Sequence, residues 1–155
     1  MKEKKTIGWR EIVVLPDLKI SEIKAKVDTG ARTSTLHASN MLFSKKRGED
    51  YVEFIVHPKQ RALKPEVRVK TKILEFRKIK SSTGHSSLRP VIETRVLIGG
   101  IAINIELTLV NRDEMGFRML LGREAIRGQF LVDPGASYIK TEKKKTRYSK
   151  KRLDK

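Results

Sequence analysis

The chain has 155 residues, 38% of them apolar and 34% charged, enough for one domain with a modest core and too few for two ordinary ones. The absence of cysteine excludes disulfides, thiolate zinc sites and thiol catalysis, and fits a reducing compartment. The formal net charge of +17 favours anionic partners such as nucleic acid, ribosomes or acidic polypeptides, or else marks a solvated surface that keeps the chain dispersed.

In chain order, Ile7 to Leu15 predicts a strand, stopped by Pro16-Asp17. Ile20 to Val27 pairs with it: Ile23, Ala25 and Val27 fall on one face and Lys24 and Lys26 on the other, the period of two that marks a half-buried strand. It runs into Asp28-Thr29-Gly30-Ala31, a carboxylate at a turn. Ser34 to Ala38 leaves that turn as a short strand, and residues 44–50 form a polar loop. Tyr51 to His57 alternates until Pro58, residues 59–66 form a basic loop, and Val67 to Leu74 alternates again. Residues 81–90 are a Ser- and Gly-containing loop closed by Pro90. Val91 to Ile98 and Ile101 to Val110 are strands joined by Gly99-Gly100, a two-residue hairpin signal. Phe117 to Leu121 is a short apolar strand ending at Gly122, Arg123 to Gly128 one or two helical turns, Asp133-Pro134-Gly135 a turn, and Ser137 to Lys140 a last strand. Many short strands with frequent turn signals and little helix predict an all-β fold, a small closed barrel with one short helix near the C-terminus.

Residues 1–140 form the expected domain and 141–155 a basic tail expected to be disordered. Residues 140–155 carry nine Lys or Arg against Glu142 and Asp154. This tail is the expected contact for nucleic acid, although only Tyr138 and Tyr148 supply aromatic rings near it. No run of about 18 apolar residues is present to cross a membrane as a helix. The charged start Met1-Lys2-Glu3-Lys4-Lys5 leads into no apolar signal segment, so no membrane partner and a cytoplasmic location are expected.

The chemistry expected at Asp28 is that of a carboxylate pair. Two aspartates held close share one proton, because like charges at that distance cannot both ionise. The ionised member then takes a proton from water while the other donates to a scissile carbonyl. Asp133 lacks the strand-and-turn context and reads as a turn former, so one chain supplies one aspartate. The chemistry then requires a C2 homodimer in which two Asp28 residues meet on the axis. Thr29 and Gly30 shape the turn, Ala31 follows it, and Leu120, Leu121 and Gly122 pack beneath it.

Asp28-Thr29-Gly30-Ala31, a later glycine-tipped hairpin and Leu121-Gly122-Arg123 before a short helix resemble the retroviral-type (retropepsin) aspartic protease domain. Residues 7–139 resemble more closely one bacterial family labelled ATP-dependent zinc protease, which is linked to the glutamate ligase that modifies a ribosomal protein and is considered retropepsin-like. The segments that carry this are Ile7-Gly8-Trp9-Arg10-Glu11, Lys24 to Ser34, Val56-His57-Pro58, Ser82-Thr83-Gly84-His85, Arg89-Pro90-Val91-Ile92, Met115 to Arg123 and Phe130 to Gly135. The resemblance implies a polypeptide substrate, a self-associating enzyme, and a ribosome or the ligase as associate. It also implies a flap over residues 79–91, with Ser82, Thr83, Gly84 and His85 at its tip able to contact substrate.

The label's two qualifiers find no residues. There is no Gly-x-x-x-x-Gly-Lys-Ser/Thr loop for a nucleotide, and no His-Glu-x-x-His; His37, His57 and His85 are far apart, the first two reading as strand residues on a half-polar face. No cofactor or metal is expected. Viral relatives place an acid where this chain has Arg32, to pair with the arginine that here is Arg123. Glu124 is expected to replace that acid by pairing with Arg32, and positive charge this near Asp28 favours an acidic substrate segment. The competing reading keeps the protease-like barrel without catalysis, as a module that docks on a ribosome, RNA or an acidic partner enzyme through its basic surface.

Overall fold

The structure, a computed structural model, describes residues 3–59, 63–80, 83–111 and 116–141. Its elements are β1 Lys5–Gly8, β2 Arg10–Leu15, a 3-10 turn Pro16–Leu18, β3 Ile20–Asp28, β4 Ser34–His37, β5 Ser39–Lys46, β6 Glu49–Val56, β7 Val67–Lys72, β8 Glu75–Lys80, β9 Ser86–Ile98, β10 Ile101–Val110, β11 Met119–Gly122, α1 Arg123–Ile126 and β12 Phe130–Asp133. The protein is therefore all-β with one short helix.

The main sheet runs β10-β4-β11-β3-β2-β9-β8, and β9 also pairs with β10. Six of its strands thus return on themselves as a ring, with β8 attached outside at β9. The β9–β10 join extends from Ile98 opposite Ile101 to Val91 opposite Thr108. The β2–β9 join is the narrowest, a bridge of Val14 to Leu97. Gly99 and Gly100 both take positive φ, 56° and 82°, the pair of left-handed residues that a tight hairpin with native twist requires. Inside the ring the alternating residues of each strand meet: Val13, Leu15, Ile23, Leu36, Leu107 and Leu121 are almost fully buried. A second sheet, β5-β6-β7, adds Val52, Phe54 and Val69 to the same core.

Several expectations need correction. The strand predicted over Ile7 to Leu15 breaks at Trp9: β1 pairs in parallel with β12, whereas β2 pairs with β3. The polar loop expected at 44–50 is the end of β5 and the start of β6, turning at Arg47 and Gly48. Part of the loop expected at 81–90 belongs to β9, with Pro90 inside the strand opposite Phe76, and β8 was not read from the sequence pattern, only its last two residues falling in the hairpin over 79–91 that the resemblance implied. Ser137 to Lys140 is not a strand; Tyr138 takes a left-handed φ of 56°, and the segment lies as a strap across β2. His37 is 2% exposed rather than half-polar, and His57 lies beyond the end of β6, its Nδ1 2.7 Å from the Leu63 carbonyl oxygen.

The strap is held by a buried acid. Glu11 is 0% exposed, and its carboxylate accepts from the N–H groups of Gly8 (2.7 Å), Ile139 (3.0 Å) and Lys140 (2.9 Å) and from the Thr141 hydroxyl (3.1 Å). The described body thus extends to Thr141, and residues 142–155 of the expected tail lie outside the described residues. Glu11→Gln would turn an amide N–H₂ toward donors that now face an acceptor, leaving buried N–H groups unmet. We expect a loss of about 2 kcal/mol in urea unfolding; an unchanged midpoint would mean that the four bonds contribute little net stability.

Candidate active site

Strand β3 ends on Asp28, and in the parallel β3–β11 ladder Gly122 stands directly beside it. Asp28 is half-buried, while Thr29 and Gly30 are exposed. The carboxylate ties its own turn: Oδ1 accepts the Gly30 N–H at 3.0 Å, and the Asp28 carbonyl accepts the Ala31 N–H at 3.2 Å. Gly30 does not adopt a left-handed φ here; a Cβ at that position would stand 3.2 Å from Asp28 Oδ1 and crowd the carboxylate.

The start of α1 secures the rest of the loop. Arg123 N–H donates to the Ala31 carbonyl at 2.7 Å and Glu124 N–H to the Arg32 carbonyl at 3.1 Å, while Arg123 Nη1 donates to the Thr29 carbonyl at 3.1 Å. Arg123 therefore braces the turn through a backbone oxygen, with no acid at position 32 needed. Arg32 Nε lies 3.6 Å from Glu124 Oε1, but both side chains are well exposed, so this pair contributes little to stability.

Beneath the loop is a hydroxyl network that the sequence did not single out. The Gly122 N–H donates to Ser34 Oγ at 3.0 Å, the Thr108 hydroxyl donates to the Ser34 carbonyl at 3.1 Å, and the Thr35 and Thr108 hydroxyls are 3.1 Å apart. Ser34 and Thr108 are buried. The only sequence signal for Ser34 was its closeness to Asp28. Leu121 is fully buried under the turn, whereas Leu120 faces an open cleft.

That cleft, of about 850 Å³, borders the Asp28 turn along Gly30, Ala31 and Thr35 and is walled opposite by Arg77, Ile79 and Arg89 of the β8–β9 hairpin. Its charged lining is mostly basic: Arg32, Arg77, Lys78, Lys80 and Arg89 against Glu106 and Glu124. Arg77 is ion-paired with Glu75 at 2.7 Å and Glu106 at 2.9 Å, and bonding to Glu75 and then Glu106 raises its pKa further above the usual guanidinium value. The β8–β9 hairpin occupies the place expected for the flap. Thr83, Gly84 and His85 are exposed at its turn, Gly84 with φ of 90°; Ser82, like Met115 of the later motif, lies outside the described residues.

His37, His57 and His85 sit on separate elements, and among the described residues no group of three His, Asp or Glu is placed to hold a metal ion.

An aspartate on a glycine turn, set between paired strands and a short helix in a six-strand ring, is the arrangement of a retropepsin-like domain. Residues 6–143 match the RimB-like family, described as retropepsin-like aspartic endopeptidase RimB, and the chain belongs to that family. It is 48% identical over 137 residues to a probable alpha-L-glutamate ligase of Shewanella pealeana, covering 88% of this chain and 30% of the relative. It is 42% identical to a protein of the same description from Parasynechococcus marenigrum, covering 89% of this chain and 30% of the relative. The chain thus spans about 30% of the length of these curated relatives. The crystal structure of protein Lpg0085 of Legionella pneumophila, of unknown function, superposes with a TM-score of 0.71 at 26% identity, covering 90% of this chain and all of that one.

Proposed function

We propose that this chain is an aspartic endopeptidase of the cytoplasm, in which Asp28 from each of two copies meets on a twofold axis and which cuts polypeptides of acidic character. The observation that carries the reading is the Asp28 turn itself. The carboxylate is fixed by the Gly30 N–H, and the exposed Thr29 and Gly30 leave the turn open to a second copy. One carboxylate of the pair activates water and the other protonates the carbonyl oxygen.

The acidic preference is supported by the basic lining of the cleft. It also fits the relatives described as glutamate ligases, since a chain extended with glutamate is an acidic polypeptide. Association with such a ligase, on the ribosome or away from it, belongs to the same reading. The test combines sedimentation at moderate salt and micromolar concentration with cleavage of a glutamate-rich peptide. A dimer with pepstatin-sensitive cleavage is the expected result. A strict monomer that cuts nothing would overturn it in favour of a binding module acting through the basic surface.

A further inference from the structure

The sheet face that leads to Asp28 brings two cations together without an acid. In the β2–β3 ladder Arg10 stands directly opposite Lys26, and paired residues of an antiparallel ladder project to the same side. Glu11, Val13, Ala25 and Val27 take the inward positions, so Arg10 and Lys26 both point outward. On that side Lys26 is beside Leu120 in the β3–β11 ladder, and Leu120 borders the cleft. Asp28 follows two residues along the same strand, about 7 Å away.

Like charges directly opposite destabilise a sheet. Among the described residues, neither Arg10 nor Lys26 is ion-paired to a carboxylate. Arg10 is nevertheless held firmly. Its guanidinium carbon lies 4.5 Å from the Trp9 ring centroid and 4.9 Å from that of Tyr138, its Nε donates to Ser137 Oγ at 3.2 Å, and Phe117 braces Trp9 edge-on at 6.0 Å. A guanidinium packed against two rings and bonded through Nε has little rotamer freedom left to lose, so it can present its remaining donors to an anion with little further ordering cost.

We infer that Arg10 and Lys26 form a subsite that takes a carboxylate side chain of the substrate beside the bond cut, an inference that rests on the peptidase reading. An entering glutamate or aspartate sits between the two cations and converts their repulsion into two attractions. A neutral side chain leaves the repulsion in place. The strap from Ser137 onward then has a role in specificity, since Ser137 and Tyr138 fix the orientation of Arg10.

The test is binding rather than turnover. The full chain carrying Asp28→Asn is titrated with a labelled glutamate-rich peptide and with its glutamine counterpart, and the ratio of the two affinities is read. Lys26 is exposed, so its substitution leaves the fold intact, which a melting curve checks. Lys26→Gln should lower the ratio about tenfold, a single charge-assisted contact of roughly 1.4 kcal/mol, and Lys26→Glu should favour a lysine-bearing peptide instead. Lys70→Gln removes the same charge from exposed β7 and should leave the ratio unchanged. Arg10→Lys keeps the charge but loses the fork, and should lower the ratio. If Lys26→Gln and Lys26→Glu behave like Lys70→Gln, the preference is a property of net charge and the subsite is wrong. That failure is distinct from failure of the peptidase reading, which shows as absent cleavage by the unsubstituted chain.

Discussion

Asp28→Asn is expected to abolish pepstatin-sensitive cleavage while leaving the folded chain as stable as before. Asparagine can neither take a proton from water nor share one with a neighbour. Because both copies of a homodimer carry the change, no carboxylate remains at the axis. General acid and general base catalysis disappear together, a loss on the order of 10⁴-fold or more. The turn should survive, because the amide oxygen of asparagine can accept the Gly30 N–H as Asp28 Oδ1 does at 3.0 Å. The proton shared by two abutting carboxyls is a charge-assisted bond across the axis, and asparagine loses it, so the substituted chain should dimerise no more tightly. Cleavage of a glutamate-rich peptide, melting temperature and sedimentation of the purified variant check the three statements. Residual pepstatin-sensitive cleavage at more than about a thousandth of the original rate would place the chemistry elsewhere.

What the sequence revealed about this site follows from what local pattern can encode. The alternation of Ile23, Ala25 and Val27 marks the strand, and the glycine turn marks its end. The apolar Leu120-Leu121-Gly122 marks the element that packs beside it, because burial on one face and a required turn are both local properties. Strand β8 was hidden because its two apolar residues, Phe76 and Ile79, are three apart and fit no period of two; the strand exists because β9 offers it a ladder. The β5–β6 hairpin was read as a loop at 44–50 because its outer end is exposed on both faces, so nothing in it alternates. The break at Trp9 was invisible for a different reason. The outward and inward positions continue across it, but the chain changes partner from β12 to β3, and a partner is a tertiary fact.

The roles of Glu11 and Arg10 depend on the same kind of long-range contact. A glutamate at an inward strand position conflicts with the pattern around it, and such a conflict is itself a signal. The resolution lies about 130 residues further on, in the N–H groups of Ile139 and Lys140. Arg10 looked like an ordinary outward charge until the strap placed Tyr138 over it. The sequence showed few aromatic rings near its basic tail, only Tyr138 and Tyr148, but the fold gathers Trp9, Phe117 and Tyr138 around one arginine close to Asp28. The charge relevant to the proposed substrate therefore lies in the body of the domain.

Gly122→Ala tests whether the Asp28 loop is positioned by close backbone contact, and it is expected to be a strongly damaging single-methyl change. A Cβ on residue 122 would stand 2.6 Å from both the carbonyl carbon and oxygen of Thr33 and 3.0 Å from the Ala31 oxygen. These are backbone atoms, so no side chain can swing aside. They are also tied in place, Ala31 by the Arg123 N–H at 2.7 Å and residue 122 itself by its N–H to Ser34 Oγ. Restoring ordinary contact requires the loop and β11 to separate by nearly 1 Å, against bonds on both sides. Overpacking of this kind costs about 3 kcal/mol, or roughly 10 °C in melting temperature for a chain of this size. In whatever fraction folds, Asp28 shifts with its loop, and a displacement of about 1 Å at a reacting group is enough to cost on the order of 100-fold in rate. Gly116→Ala is the control, since a Cβ there meets nothing within 4 Å. If Gly122→Ala melts within a degree or so of Gly116→Ala and cleaves as fast, the loop is not held by this contact, and the alignment of Asp28 must come from the Arg123 and Ser34 bonds alone.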